Sequence, residues 1–171
     1  MSRVVEIQKQ IEELEKKTQE LQKELEFEKN KYVVDYPFEI PDSYWRLELN
    51  GVITKDWWSN DDWERHCYKQ GHVFKNREEA RKERDKRDLL MRFNQFRDKC
   101  NGDWKPDWST HLDNKYHIYK AHGHEQLLIS EDLYCTSFVT FGYFHKYEDA
   151  ERAIELFGNQ IKRLFVEEEN E

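Results

Sequence analysis

Val73-Phe74-Lys75-Asn76-Arg77-Glu78-Glu79-Ala80 returns later in the chain as Tyr143-Phe144-His145-Lys146-Tyr147-Glu148-Asp149-Ala150. Each copy runs on into a helical pattern, and each follows an aromatic strand-like run, Tyr44-Trp45-Arg46-Leu47-Glu48-Leu49 in one case and Lys115-Tyr116-His117-Ile118-Tyr119 in the other. A unit repeated at this length is one supersecondary element used twice. The pattern predicts an α+β body built of two related strand-strand-helix halves. A duplicated scaffold presents two similar surfaces, which suits binding better than a single reaction centre.

Working outward, the first half reads as residues 44–100 and the second as residues 115–166. In the first, Tyr44 to Leu49, Asn50-Gly51 and Val52-Ile53-Thr54 give a hairpin, with Asn-Gly suited to the positive torsions of a two-residue turn. Asp56 to Gln70 is polar with embedded aromatics and reads as a loop. Gly71 precedes Val73-Phe74, and Asn76 is placed to cap a helix from near Arg77 to about Cys100 with Glu78 and Glu79 in its first turn. Its early turns carry only Ala80 among charges and are expected to face solvent or a partner, whereas Leu89, Leu90, Phe93 and Phe96 mark a buried face. Residues 101–114 form a turn-rich link holding Trp104 and Trp108. The second half gives strands at Lys115 to Tyr119, near Gln126 to Ile129 and near Ser137 to Phe141. A helix follows from about Tyr147 to Phe165, its apolar face Ala150, Ala153, Ile154, Phe157, Ile161 and Leu164.

Ahead of the body, Val4, Ile7, Ile11, Leu14, Thr18, Leu21 and Leu25 alternate spacings of three and four, the seam of a coiled coil over residues 1–31. β-branched residues at the first seam position and Leu at most of the second favour a parallel two-stranded pairing, with trimers and a four-helix assembly left open by Thr18 and the short length. The expected partner is therefore a second copy of the chain; the competing arrangement is an arm folded back on its own body. Residues 32–43 carry two of the three prolines and read as an extended connector, and residues 167–171 as an acidic tail.

Composition bounds the function. Hydrophobic and charged residues are each 37 % of the chain, yet 6 Trp, 9 Tyr and 10 Phe allow an aromatic core, so disorder of the body is not expected. The net charge of −8 argues against a general nucleic-acid coat. Cys67, Cys100 and Cys135 show no paired spacing, and neither a hydrophobic leader nor a long apolar run is present, so a reduced, cytoplasmic setting is expected.

Phe74-Lys75-Asn76-Arg77-Glu78-Glu79-Ala80, Arg92-Phe93-Asn94-Gln95-Phe96-Arg97-Asp98, Trp104-Lys105-Pro106-Asp107-Trp108 and the Phe144 to Ala150 unit resemble a family of short accessory proteins of tailed phages and prophages of Gram-positive bacteria. The likeness covers roughly Tyr44 to Phe165. The resemblance implies the cytoplasm of an infected bacterial host as setting and action by binding, such as blocking a host defence protein or sequestering a defence signal. It carries over no catalytic residues.

The residues themselves point the same way. His66, Cys67 and His72, or His122, His124 and Cys135, lack the paired spacing of a zinc site, so no metal or cofactor is expected. Neither Ser109, Ser130 nor Ser137 lies in a glycine elbow, Cys67 beside His66 is no dyad because neighbours on a strand point apart, and Asp56, Asp61, Asp62 and Glu64 among tryptophans read as solubilising charge. No enzyme is expected. Trp57, Trp58, Trp63, Arg65, Tyr68, Trp104, Lys105 and Trp108 are the candidate binding residues, since aromatics with nearby cations anchor protein interfaces and also stack on bases; the bland alternative is that the tryptophans close the core. Candidate partners are thus a host protein or a nucleotide-type small molecule. The helix from Lys75 to Lys99, with ten Lys or Arg against six Asp or Glu, offers a third possibility in nucleic acid, weakened by charges interleaved as on a solvated helix.

Overall fold

The computed structural model describes residues 3–29, 34–40, 42–110, 113–133 and 139–167. The chain divides into two compact units, Met1–Pro37 and Phe38–Glu171. In the first, a single helix α1 runs over Arg3–Lys29. Its seam residues Val4, Ile7, Ile11, Leu14, Leu21 and Leu25 are all exposed within the single chain. The one polar seam residue, Thr18, satisfies its hydroxyl within its own helix by donating to the Leu14 carbonyl at 2.8 Å.

The second unit is α+β. Strands β1 (Ser43–Leu47) and β2 (Ile53–Trp57) form an antiparallel hairpin, and β3 (Val73–Phe74) adds to the other side of β1, giving the order β2-β1-β3. The turn is not the expected two-residue one. The Glu48 N–H donates to the Val52 carbonyl and the Gly51 N–H to the Glu48 carbonyl, enclosing three residues, of which Gly51 alone takes a positive φ (82°). Asn50 keeps an ordinary torsion and its side chain instead accepts from the Val52 N–H.

Asp56 to Gln70 is not a loop. β2 continues to Trp57, and helix α2 occupies Asp62–Lys69 behind a complete capping box, in which Asp61 accepts from the Glu64 N–H and Glu64 reaches back to the Asp61 N–H. The box is spelled Asp61-Asp62-Trp63-Glu64, but a helix this short and polar carries too little apolar periodicity to stand out. His66 and Cys67 consequently lie on a helix, not a strand. Glu64 is buried and also accepts from the Ser59 N–H and hydroxyl, both at 2.8 Å, and from the Tyr44 hydroxyl at 3.4 Å. Around it Phe38, Tyr44 and Trp58 form a small aromatic core with ring centroids 5.3 to 6.0 Å apart.

Helix α3 spans Arg77–Asn101 and starts where Asn76 accepts from the Glu79 N–H. Its early turns do not stand free. Ala80 is fully buried, Arg77 lies over the Trp45 ring, and Arg87 donates to the Gly71 carbonyl at 2.6 Å, so this half packs on the first sheet through a small residue and long cationic stems.

In the second half β4 (Lys115–Tyr119) pairs antiparallel with β5 (Leu128–Asp132), a little later than the expected strand. An isolated bridge joins Tyr116 to Phe144. Of the strand expected near Ser137 to Phe141, Ser137 and Phe138 lie outside the described residues, and Val139 is irregular and Thr140 and Phe141 are turn, not strand. Helix α4 covers Tyr147–Ile161 and ends in a π-helical turn, Lys162–Val166, closed by the Glu167 N–H on the Lys162 carbonyl. Leu89 and Phe93 of α3 meet Ala150, Ala153, Phe157 and Ile161 of α4, with Ile118, Leu127, Phe141, Phe144 and Leu164, in the main core.

The duplication is visible in the pairing. Phe74 pairs with Trp45 as Phe144 pairs with Tyr116, and Ala80 and Ala150 are both fully buried in the first turn of the helix that follows. α2 is the main addition of the first copy.

Candidate binding surface

The eight residues singled out by composition do not form one site. Trp58 is only 2 % exposed and belongs to the aromatic core, so it is withdrawn from the binding set. Tyr68 is half-buried with its ring edge-on to Phe38, and supports the same core. Arg65 turns back on the start of its own helix, donating to the Asn60 carbonyl and pairing with Asp62, whose carboxyl it holds below the usual range. Trp104 stacks on His145 at 4.9 Å and donates through Nε1 to Asp113 at 2.9 Å. Trp108 packs edge-on to Tyr143 and receives the buried Lys115 ammonium 5.1 Å from its ring centroid. Lys105 is exposed between these two tryptophans.

Trp57 and Trp63 are the strongly exposed pair, at 65 % and 53 %, and they serve different faces of the first sheet. Alternation along β2 puts Trp57 on the face opposite Asp56, with Lys55 Nζ 5.9 Å from its ring. Trp63 stands on α2 over the Arg46 and Asp56 face. There Arg46 donates twice to Glu48 Oε1, at 2.9 and 2.6 Å, and once to Asp56 Oδ2 at 3.1 Å, while its guanidinium carbon lies 4.7 Å from the Trp63 ring centroid. Three contacts fix the guanidinium plane, so the arginine and the indole are preorganised. The Arg46 hydrogen bond holds the Glu48 carboxyl below its usual range, and Thr54 also donates to it.

Between this pair and the hairpin end lies a cleft of about 210 Å³ lined by Arg46, Glu48, Leu49, Trp63, Cys67 and His72 among others. Leu49 at the hairpin tip is 96 % exposed. An apolar side chain held out on a rigid turn beside a half-exposed indole and an arginine is the composition of an interface anchor. Sequence reasoning overlooked Leu49 and Arg46. The signal was a leucine set directly before Asn-Gly, at a turn position where a polar residue is usual.

Burial pushes the Cys67 thiol up, away from the thiolate form a nucleophile needs. His72 Nδ1 is taken up by the Leu47 carbonyl and His66 Nδ1 by the Asp62 carbonyl. Among the described residues no three His, Cys, Asp or Glu side chains converge as a metal site would require, and no helix is long and apolar enough to cross a membrane.

Comparison with protein-family models, curated proteins and solved structures finds no match to this chain.

Proposed function

We propose that this chain is a non-catalytic, self-associating phage accessory protein that binds and neutralises a host defence protein, with Leu49, Trp63 and Arg46 as the anchors of its binding surface. The observation that carries the binding reading is the 96 % exposure of Leu49 beside an indole whose arginine partner is already fixed by two carboxylates. Such an anchor loses little side-chain entropy on docking, since Arg46 and Trp63 are held before a partner arrives. The phage setting and the defence target come from the sequence resemblance alone.

The arm supplies valency. A helix with one narrow apolar stripe is marginal alone in water and is stabilised by a second such stripe. With Val4, Ile11, Thr18 and Leu25 at one seam position and Ile7, Leu14 and Leu21 at the other, a parallel pair places Glu24 of one copy against Lys29 of the next, and no like charges meet at the other flanking positions.

Two other ligand classes fit less well. For a nucleotide, the Trp104 face is covered by His145 and the Trp108 ring already receives Lys115. For nucleic acid along α3, Arg81, Arg84, Arg87, Arg92 and Arg97 are each paired with a carboxylate of the same helix.

The test is capture from a lysate of the bacterial host on immobilised protein. A host protein retained by the wild type and by Trp57→Ala, and lost with Leu49→Asp or Trp63→Ala at unchanged circular dichroism, fits the reading. Retention by all four contradicts it.

A further inference from the structure

The two halves part company at one point where their repeat would have them agree. In the first half the edge of β1 is closed at Leu47. Its N–H donates to the His72 carbonyl at 2.9 Å, and the Nδ1 of His72 lies 2.7 Å from the Leu47 carbonyl. The shared pairing of Trp45 with Phe74 and of Tyr116 with Phe144 makes Ile118 the counterpart of Leu47, and Gly142 the counterpart of His72.

Tyr116 exchanges both backbone hydrogen bonds with Phe144, at 3.0 and 2.8 Å. Two residues on, the N–H and carbonyl of Ile118 point the same way, away from β5. Among the described residues neither has a partner there. Gly142 brings no side chain to close the slot, and its φ of 70° turns the chain aside, while Arg97 fixes that turn by donating to the Phe141 carbonyl at 3.0 Å.

Beside the open edge lies a cavity of about 290 Å³, whose walls include Ile118, Leu127, Phe141, Ile161 and Phe165. Lys120, on the same side of the strand as Ile118, is another of the lining residues and the cationic one among them. An unpaired strand edge, an apolar recess below it and one cation two residues along are the elements of strand addition.

We propose that the β4 edge at Ile118 takes up an extended segment of a partner protein as an added strand, with an apolar side chain in the recess and a carboxylate two residues away against Lys120. The segment's backbone would satisfy the Ile118 N–H and carbonyl as His72 satisfies those of Leu47. This surface is separate from the Leu49 and Trp63 cleft, and either stands if the other fails.

The probe is a capped heptapeptide, Thr-Glu-Thr-Phe-Thr-Val-Thr, titrated into the full-length protein and followed by amide exchange. Peptide saturation is expected to slow exchange at Ile118 by about tenfold or more. An analogue N-methylated on the alternate amides that face β4 should lose this effect, and Val166→Trp, at a further residue of the recess wall where a larger side chain fills the space, should lose binding while the protein stays folded. Absence of binding, equal binding of the methylated peptide, or an Ile118 amide already protected in the free protein each overturns the proposal, the last because the chain would then close its own slot.

Discussion

Arg46 and His117 occupy the same point in two copies of one strand pair, and each reaches an aspartate across to the neighbouring strand. Arg46 Nη1 lies 3.1 Å from Asp56 Oδ2, and His117 Nδ1 lies 3.2 Å from Asp132 Oδ2. The register agrees, since Asp56 stands opposite Tyr44 and Asp132 opposite Lys115, each one residue before the paired aromatic. The surroundings differ. Arg46 makes a hydrogen bond to its aspartate, whereas the buried His117 Nδ1 is too poorly aligned for one and Asp132 accepts from the Tyr143 hydroxyl at 3.2 Å instead.

That difference sets unequal costs for the two aspartates. Asp132, whose side chain is 13 % exposed, is an acceptor within a nearly dry cluster, while Asp56 is 46 % exposed. Asp132→Ala is expected to lower stability by about 1–3 kcal/mol, and Asp56→Ala by less than about 1 kcal/mol. Urea unfolding of the two variants measures this, and an equal or reversed order would contradict the assignment.

The Tyr44 hydroxyl should titrate late. Burial first, then the charges of Asp56 and Glu64, push its hydroxyl up to about 12. A raised folded value means the stability it contributes is full below the ordinary tyrosine value near 10 and is lost as pH rises through about 12. Difference ultraviolet titration of the wild type against Tyr44→Phe is expected to place the tyrosinate lost in the variant near 12, and Tyr44→Phe should flatten the fall in stability across that window.

Trp58 and Trp63 are close in sequence and opposite in consequence. Trp58→Ala removes a buried ring packed on Phe38 and Tyr44 and is expected to cost about 3–5 kcal/mol. Trp63→Ala, at an exposed site, should cost less than about 1 kcal/mol and act on binding. Thermal melts of both variants separate the roles; a large loss for Trp63 would make it a structural residue.

The arm is tested by charge. Ile11→Asp with Leu14→Asp is expected to abolish the proposed pairing of arms while leaving the near-ultraviolet signal of the aromatic body intact, because the seam belongs to the arm's own compact unit. Light scattering checks it, and an unchanged mass would contradict the coiled-coil pairing.

The repeat was legible because its two copies share several cues at once: the phenylalanines Phe74 and Phe144, the acidic first-turn pairs Glu78-Glu79 and Glu148-Asp149, and the small Ala80 and Ala150. α1 was legible from a regular heptad and α4 from its unbroken apolar face. α2 was hidden because eight residues give little over two turns, and Trp63 exposed with Glu64 buried inverts the usual pattern. Trp58 was misplaced because a tryptophan in polar sequence reads as exposed until its packing on the distant Phe38 and Tyr44 is known. The closed edge at Leu47 and the one at Ile118, unpaired among the described residues, depend on where His72 and Gly142 sit in space, which no local pattern reports.

The most direct measurement is native mass spectrometry of the full-length protein after incubation with a bacterial lysate, wild type beside the Leu49→Asp, Trp63→Ala double variant. The expected result is a multimer that carries an additional polypeptide in the wild type and the same multimer without it in the variant. A single chain, or a polypeptide retained equally by both, would contradict it.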